Sequence, residues 1–153
     1  MKWLKLKIPP ALLFLICIGL MWGLDKRLNF EPTTFDFPDW LFGGLVLVGG
    51  SIVLLGVIEF SRKSTTVNPH KPQNTTALVK SGIYRFTRNP MYLGMVFILL
   101  AGVMKFGNGL TMLIPALFIW YMNIFQVQPE EEMMEQKFGK EFVEYKEEVR
   151  RWI

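Results

Sequence analysis

Four long segments of the chain contain no charged residue, and this feature most constrains how the chain can fold. They cover residues 8–24, 41–58, 91–104 and 109–127. A helix that crosses the hydrocarbon core of a bilayer needs about 17–25 predominantly apolar residues. The third segment is short, and reaches that length only if the helix includes Asn89 and Pro90, or lines a cavity. The sequence therefore predicts an all-α integral membrane helical bundle with about four transmembrane helices, near residues 8–24, 41–60, 89–105 and 109–127.

Composition argues against several other classes of protein. Apolar residues make up 51% of the chain, which is too high for a disordered protein. A single cysteine, Cys17, cannot form a disulfide within the chain, and one cysteine with one histidine is too few for a typical metal site. The net charge of +4 is compatible with nucleic-acid binding, but in so apolar a chain basic residues are expected in cytoplasmic loops. We expect membrane lipids as partners, and neither nucleic acid nor a metal.

The distribution of lysine and arginine predicts the orientation in the membrane. Three lie in the N-terminal tail, six in the loop over residues 61–89 and five in the C-terminal tail, whereas the other side of a four-span bundle carries only Lys26, Arg27 and Lys105. Cytoplasmic loops are enriched in these residues, so both termini are predicted to be cytoplasmic, in a membrane that we expect to be a prokaryotic inner membrane. The first segment could instead be a signal peptide, but it is long for one and lacks a typical cleavage pattern after Trp22.

The C-terminal stretch has a different pattern. Apolar residues recur there at spacings of three and four, which is typical of one face of an amphipathic helix. We predict such a helix over residues 129–152, on the cytoplasmic surface and interrupted near Gly139. The apolar face consists of Met134, Phe138, Phe142, Tyr145, Val149 and Trp152.

Two polar clusters flank the last two apolar segments, within residues 78–94 and 129–152. Each has an ordinary structural explanation. Arg85 and Arg88 can anchor a span at lipid headgroups, Asn89-Pro90 can begin a helix, and acids after Pro129 suit the first turn of another. The ordered combination is more specific than its parts. It reads Leu78-Val79-x-Ser81-Gly82-x-Tyr84, Arg88-Asn89-Pro90-Met91-Tyr92-Leu93-Gly94, Glu130-Glu131, Phe138-Gly139, Tyr145 and Arg151-Trp152.

This combination resembles the isoprenylcysteine carboxyl methyltransferase family, and the broader group of membrane methyltransferases that includes phospholipid N-methyltransferases. The resemblance extends over residues 69–152, about the C-terminal half. It implies S-adenosylmethionine as cofactor and no metal. The cofactor-binding residues that it implies are Thr76, Ala77, Leu78, Val79, Tyr84, Asn89, Pro90, Met91, Tyr92 and Glu130, and the catalytic residues are Arg88, Tyr92 and Glu131. Eukaryotic members usually carry His at the position of Asn89, and a substrate-contacting Arg near Gln126.

The chemistry of the residues agrees with the resemblance. A sulfonium with an ammonium and a carboxylate needs acids, aromatic rings and either a base or a helix N-terminus. Glu130 and Glu131 can accept from hydroxyls or the ammonium, Tyr84 and Tyr92 can face the sulfonium, and Arg88 or the start of the third span can take the carboxylate. We expect methyl transfer to a lipid or lipid-like acceptor, either of isoprenylcysteine type or an amine. A membrane reductase that uses NADPH and a non-enzymatic scaffold are the alternatives.

Overall fold

The computed structural model of the protein describes residues 5–27, 37–62, 77–106 and 109–153. These residues form helices and connecting turns without a β-strand, which confirms the predicted all-α class. A π-helical segment, Met122–Val127, joins the fourth and fifth α-helices, and short 3-10 turns cover Gly82–Arg85 and Gly109–Met112. The α-helices are α1 (Pro10–Arg27), α2 (Asp39–Arg62), α3 (Pro90–Phe106), α4 (Leu113–Tyr121), α5 (Gln128–Phe138) and α6 (Lys140–Glu148).

Two helices of the described residues are long and apolar enough to cross a membrane. One is α2, and the other is the continuous helix Gly109–Phe138 that contains α4, the π-helical segment and α5. Helix α3 is a shorter apolar helix of 17 residues, and α1 ends in the charged residues Asp25, Lys26 and Arg27. The structure therefore shows two candidate spans, and the four-span arrangement stays a prediction.

Helices α2 and α3 approach each other closely where two glycines meet. A Cβ atom on Gly49 would lie 2.6 Å from the carbonyl oxygen of Gly94, and one on Gly94 would lie 2.5 Å from that of Gly49. Real side chains do not come so near to a backbone oxygen, so the contact requires the absence of both side chains. Small residues allow such backbone contact between helices in lipid.

The main core lies where α1, α3 and α4 meet. Met21, Leu99 and Phe118, one from each helix, are almost fully buried there. Many large side chains on the outer faces of α1, α2 and α4 are exposed, including Leu47 and Leu117. An apolar outer surface suits a lipid environment.

We infer that Pro129, two residues after the π-helical segment, is its local cause in the sequence. Pro129 has no N–H, so it cannot bond the carbonyl of Phe125 four residues earlier, and proline rings inside a helix also clash with that carbonyl. The backbone N–H of Leu6 in the N-terminal tail donates to the Phe125 carbonyl instead, at 2.9 Å. One extra residue in the helical turn accommodates the proline, and such π-bulges occur frequently at functional sites.

Helices α5 and α6 meet at Gly139, whose φ of +54° suits a residue without a side chain. Five of the six residues of the predicted apolar face form one small cluster, in which Phe142, Tyr145 and Val149 are buried and Leu78 joins them from the loop before α3. The sixth residue, Trp152, packs against the main core instead.

Candidate functional site

The site is built around the start of α3, where residues 87–89 turn into the helix. The hydroxyl of Thr87 accepts the backbone N–H of Asn89 at 3.2 Å, and the Asn89 carbonyl accepts the N–H of Leu93. Pro90, the first residue of α3, has its φ already fixed for a helix. In the first turn, the N–H groups of Met91 and Tyr92 have no acceptor within the helix, and they give this end a partial positive charge.

The carboxylate of Glu130 faces this turn from α5. It accepts a hydrogen bond from the Tyr92 hydroxyl at 2.8 Å and another, on the same Oε1 atom, from the side-chain amide of Gln126. Gln126 and Tyr92 are buried, and Glu130 is partly buried. Among the described residues no lysine or arginine forms an ion pair with Glu130. A partly buried carboxylate with only neutral donors attracts a cation.

Glu131, the next residue, has the opposite environment. Arg88 donates to Oε1 at 2.8 Å, and Arg151 donates to Oε2 at 2.6 Å and to Oε1 at 3.2 Å. The Arg88 guanidinium also donates to the carbonyls of Lys146 and Val149, at 2.9 and 2.7 Å. Its Nε is buried and has no hydrogen-bond partner among the described residues. Glu131 is therefore neutralised within the protein. The catalytic assignments of Arg88 and Glu131 stay predictions.

Tyr84 provides a buried hydroxyl that has no hydrogen-bond partner among the described residues. Its ring packs edge-on against Phe60 with the ring centres 5.4 Å apart, and its carbonyl accepts the Tyr145 hydroxyl at 2.7 Å. Burial raises the pKa of the Tyr84 phenol far above its usual value, and the neighbouring Tyr145, Glu130 and Glu59 raise it further. Burial likewise raises the pKa of Tyr145. The Tyr84 hydroxyl therefore remains protonated and can donate a hydrogen bond to a ligand.

Sequence reasoning missed the contact that holds Tyr84 in place. Glu59, near the end of α2, accepts the Ser81 hydroxyl at 2.7 Å. Gly82 has a φ of +58°, and a Cβ atom there would lie 2.5 Å from the carboxyl carbon of Glu59. The sequence did contain a signal for this contact. A Ser-Gly pair stands shortly before Tyr84, and an acid, Glu59, stands at the end of a predicted span. These contacts fix the 3-10 turn that carries Tyr84 against α2.

Gln126 was also left out of the predicted site residues. The resemblance placed a substrate-contacting Arg of eukaryotic members near it, but a lone amide in an apolar segment does not by itself indicate a binding role. Asn123 was left out as well, and its side chain accepts the indole N–H of Trp152 at 3.0 Å. Both lie in the π-helical segment.

The structure brings only some of the predicted residues together. Tyr92 and Glu130 are joined by a hydrogen bond of 2.8 Å, and Tyr84 interacts electrostatically with both. The Asn89 amide donates to the Arg151 carbonyl at 3.0 Å. Other predicted residues take part in packing: Val79 and Pro90 are buried, Leu78 contacts the α6 cluster and Met91 contacts the main core. Ala77 is partly buried at the start of the loop, and Thr76 lies outside the described residues.

Comparison with known proteins adds independent information. The family model of phospholipid methyltransferases matches residues 40–141. A protein of Haemophilus influenzae, described only as uncharacterized, is 46% identical over 63 residues, which cover 41% of this chain and all of that protein. A probable protein-S-isoprenylcysteine O-methyltransferase of Oryza sativa subsp. indica is 28% identical over 146 residues, 95% of this chain and 76% of the relative.

The protein-S-isoprenylcysteine O-methyltransferase of Saccharomyces cerevisiae is 29% identical over 79 residues. That match covers 52% of this chain and 33% of the yeast protein. No solved structure matches the chain.

Proposed function

The chain belongs to the phospholipid methyltransferase family, and from this premise we propose that it transfers a methyl group from S-adenosylmethionine to a lipid-like acceptor in the membrane. The methyltransferase names of the yeast and rice relatives support the reaction type. The membrane setting is supported by the two long apolar helices.

The observation that carries the proposal is the environment of Glu130. Its carboxylate is held by the neutral donors Tyr92 and Gln126, and it has no ion-pair partner among the described residues. S-adenosylmethionine carries two cationic groups, a sulfonium and an ammonium, which an ionised carboxylate would stabilise. The adjacent Glu131 is unsuited to that purpose, because both of its oxygens accept hydrogen bonds from arginine.

Other groups around Glu130 fit the remaining parts of the cofactor. The N–H groups in the first turn of α3 that have no acceptor within the helix can receive its carboxylate, together with the Nε of Arg88, which has no partner among the described residues. The unpartnered hydroxyl of Tyr84 can donate to a polar group of the adenosine. We propose residues 76–79 and 89–92 as the rest of the binding residues, as the sequence predicted, with Arg88, Tyr92 and Glu131 closest to the chemistry.

Bound S-adenosylmethionine supplies an electrophilic methyl group, and displacement at that carbon leaves S-adenosylhomocysteine. The protein then has to align donor and acceptor and to exclude water. Alignment of this kind contributes up to about 7–11 kcal/mol in well-oriented systems. Tyr92 and Gln126 hold Glu130 in one orientation, and the cluster of Arg88, Glu131 and Arg151 fixes the helix that carries it.

The acceptor is proposed as a lipophilic molecule that reaches the site from the bilayer. The relatives named above suggest a prenylated cysteine, and the family name suggests a phospholipid amine. A prenylcysteine carboxylate would require a cation. Gln126 stands near the position where eukaryotic relatives carry the substrate-contacting Arg, and its amide is engaged with Glu130.

We also propose a four-span topology with both termini in the cytoplasm. In support, the two chain ends contact the same stretch of the long helix. Leu6 donates to the Phe125 carbonyl and Lys5 pairs with Glu132 at 3.3 Å. Arg151 pairs with Glu131, the residue next to Glu132 in the same helix. Because both tails contact adjacent residues of one helix, they lie at the same end of the bundle.

A binding titration of the detergent-solubilised protein tests the proposed function. S-adenosylmethionine, S-adenosylhomocysteine and NADPH are titrated separately into the same preparation. Binding of the first two without the third is the expected result. Selective NADPH binding would favour a reductase, and binding of none of them would favour a scaffold.

A further inference from the structure

Residues 149–152, here called the C-terminal strap, follow α6 and cross to the start of α3, and Val149 leaves the helix in an extended conformation. The φ and ψ angles of Val149 are −122° and 128°. The backbone N–H of Arg88 donates to the carbonyl of Arg150 at 3.0 Å. The Arg151 carbonyl accepts from the Thr87 hydroxyl at 3.2 Å and from the Asn89 amide at 3.0 Å. The backbone of the strap is thus bonded to all three residues that precede Pro90.

The side chains of the strap reach the other half of the site. Arg151 binds both carboxylate oxygens of Glu131 in α5. Trp152 donates from its indole nitrogen to Asn123 of the π-helical segment at 3.0 Å and packs against the main core. Among the described residues, two further side-chain hydrogen bonds connect the long helix to the start of α3 at the site, Tyr92 to Glu130 and Arg88 to Glu131. The strap is therefore a third connection between the two halves.

We propose that Arg151 is a positioning residue that acts through Glu131 on the orientation of Glu130. Two guanidinium groups fix the side chain of Glu131, and thereby the rotation of the first turn of α5. Glu130 is the preceding residue of that turn, so its carboxylate is directed toward Tyr92 rather than toward the arginines. Trp152 restrains the same helix one turn before Gln126. The test of this inference by cofactor binding rests on the proposed function. The orientation of Glu130 itself does not depend on a bound ligand.

The first experiment measures the dissociation constant of S-adenosylmethionine for the full-length protein and its variants. Arg151→Gln should weaken binding by up to about tenfold, the effect expected if Glu130 is turned away and its charge-assisted hydrogen bond to the cofactor is lost. Arg150→Gln is the matched control, because Arg150 contributes its backbone carbonyl to the strap and its side chain is exposed. Equal affinities for the two variants would overturn the proposal.

A double-mutant cycle separates a positioning effect from a general structural one. If Arg151 acts through Glu131, the change Arg151→Gln should have little further effect on affinity in a Glu131→Gln background. Two independent effects that add would overturn the proposal. Trp152→Phe keeps the aromatic packing and removes only the N–H bonded to Asn123. It should weaken binding in the same direction by a smaller factor, and it provides a test if Arg151→Gln does not fold.

A readout without any cofactor distinguishes failure of this inference from failure of the proposed function. A water-soluble carbodiimide labels accessible carboxyl groups, and peptide fragmentation assigns the label to Glu130 or Glu131. Glu130 should be labelled more in Arg151→Gln than in wild type or Arg150→Gln. Unchanged labelling of Glu130 would overturn the positioning role. If labelling of Glu130 increases in Arg151→Gln but the wild-type protein does not bind S-adenosylmethionine, the positioning role is supported and the proposed function is contradicted.

Discussion

The hydroxyl of Tyr92 donates a hydrogen bond to Oε1 of Glu130 at 2.8 Å, and the two residues are 38 positions apart in the chain. One lies in the first turn of α3 and the other in the first turn of α5. Gln126 donates to the same oxygen from one turn earlier in the long helix. Both donors are uncharged, and no lysine or arginine in the described part of the chain forms an ion pair with the Glu130 carboxyl group.

We therefore predict that Glu130→Gln weakens S-adenosylmethionine binding about tenfold or more, since hydrogen bonds to charged groups contribute about 1.5–3 kcal/mol. Glu135→Gln is the control, because Glu135 lies in the same helix and pairs on the surface with Lys146 at 2.8 Å. Its loss should change affinity very little. Titration calorimetry on both variants provides the measurement, and equal affinities would count against Glu130 as the cation-binding residue.

Tyr92→Ala is predicted to reduce cofactor affinity while the protein stays folded and inserted. The substitution removes one of the two donors to Glu130 and opens space beside the site. If Tyr92 were only an interfacial packing residue, the melting temperature would fall and the affinity would not change. Both quantities should be measured on one preparation. Tyr92→Phe is the finer variant, because it removes the hydroxyl and keeps the ring.

The sequence alone identified the residues of this pair but not all of their neighbours. Absence of charge over long segments predicted helices, and Asn89-Pro90 predicted the helix start that the structure contains at Pro90. Arg88 was predicted to be catalytic from the resemblance, and its charge made it one of two candidates, with the start of the third span, for binding the cofactor carboxylate. Its actual acceptors, Glu131 and the carbonyls of Lys146 and Val149, lie 43 to 61 residues away and depend on tertiary packing.

The close contact of α2 and α3 leads to a prediction about stability. Gly94→Ala would place a Cβ atom 2.5 Å from the backbone oxygen of Gly49 and 2.6 Å from a methyl group of Val53. We expect the free energy of unfolding to fall by about 1–3 kcal/mol, as at other overpacked sites. Gly44→Ala in α2 is the control, since no atom in the described part of the chain lies within 4 Å of its added Cβ. Thermal unfolding should separate the two variants, with Gly44→Ala unchanged or more stable because alanine favours helix.

The same glycines show what a pattern of small residues can predict. A run of small residues such as Gly43, Gly44, Gly49 and Gly50 is typical of close helix packing in lipid. Gly49 makes such a contact, whereas no atom of the described residues lies within 4 Å of a Cβ added at Gly43, Gly44 or Gly50. Which glycine of a run faces the neighbouring helix depends on the rotation of the helix, and the sequence does not encode that rotation locally.

The π-helical segment was missed for a related reason. Pro129 was interpreted as the start of a new helix, but here the helix continues through it.

Topology can be tested with reporter fusions at residues 1 and 153. We predict that both reporters lie on the cytoplasmic side, because most lysines and arginines are in the tails and the middle loop. The contacts of Lys5 and Arg151 with adjacent glutamates of the long helix place both tails at one end of the bundle. Reporters on opposite sides of the membrane would contradict both the charge argument and the structure.

Pro129→Ala tests the origin of the π-helical segment. Alanine supplies an N–H that can bond the Phe125 carbonyl, so it competes with the N–H of Leu6, which now donates there at 2.9 Å. The N-terminal tail would lose a hydrogen bond of about 0.5–1.5 kcal/mol, which corresponds to a roughly two- to tenfold faster exchange of the Leu6 amide. Hydrogen–deuterium exchange of N-terminal peptides measures this change. Pro90→Ala, at the first residue of α3, should leave Leu6 exchange unaltered. If Pro129→Ala also leaves it unaltered, the proline is not what makes the Phe125 carbonyl available to the tail.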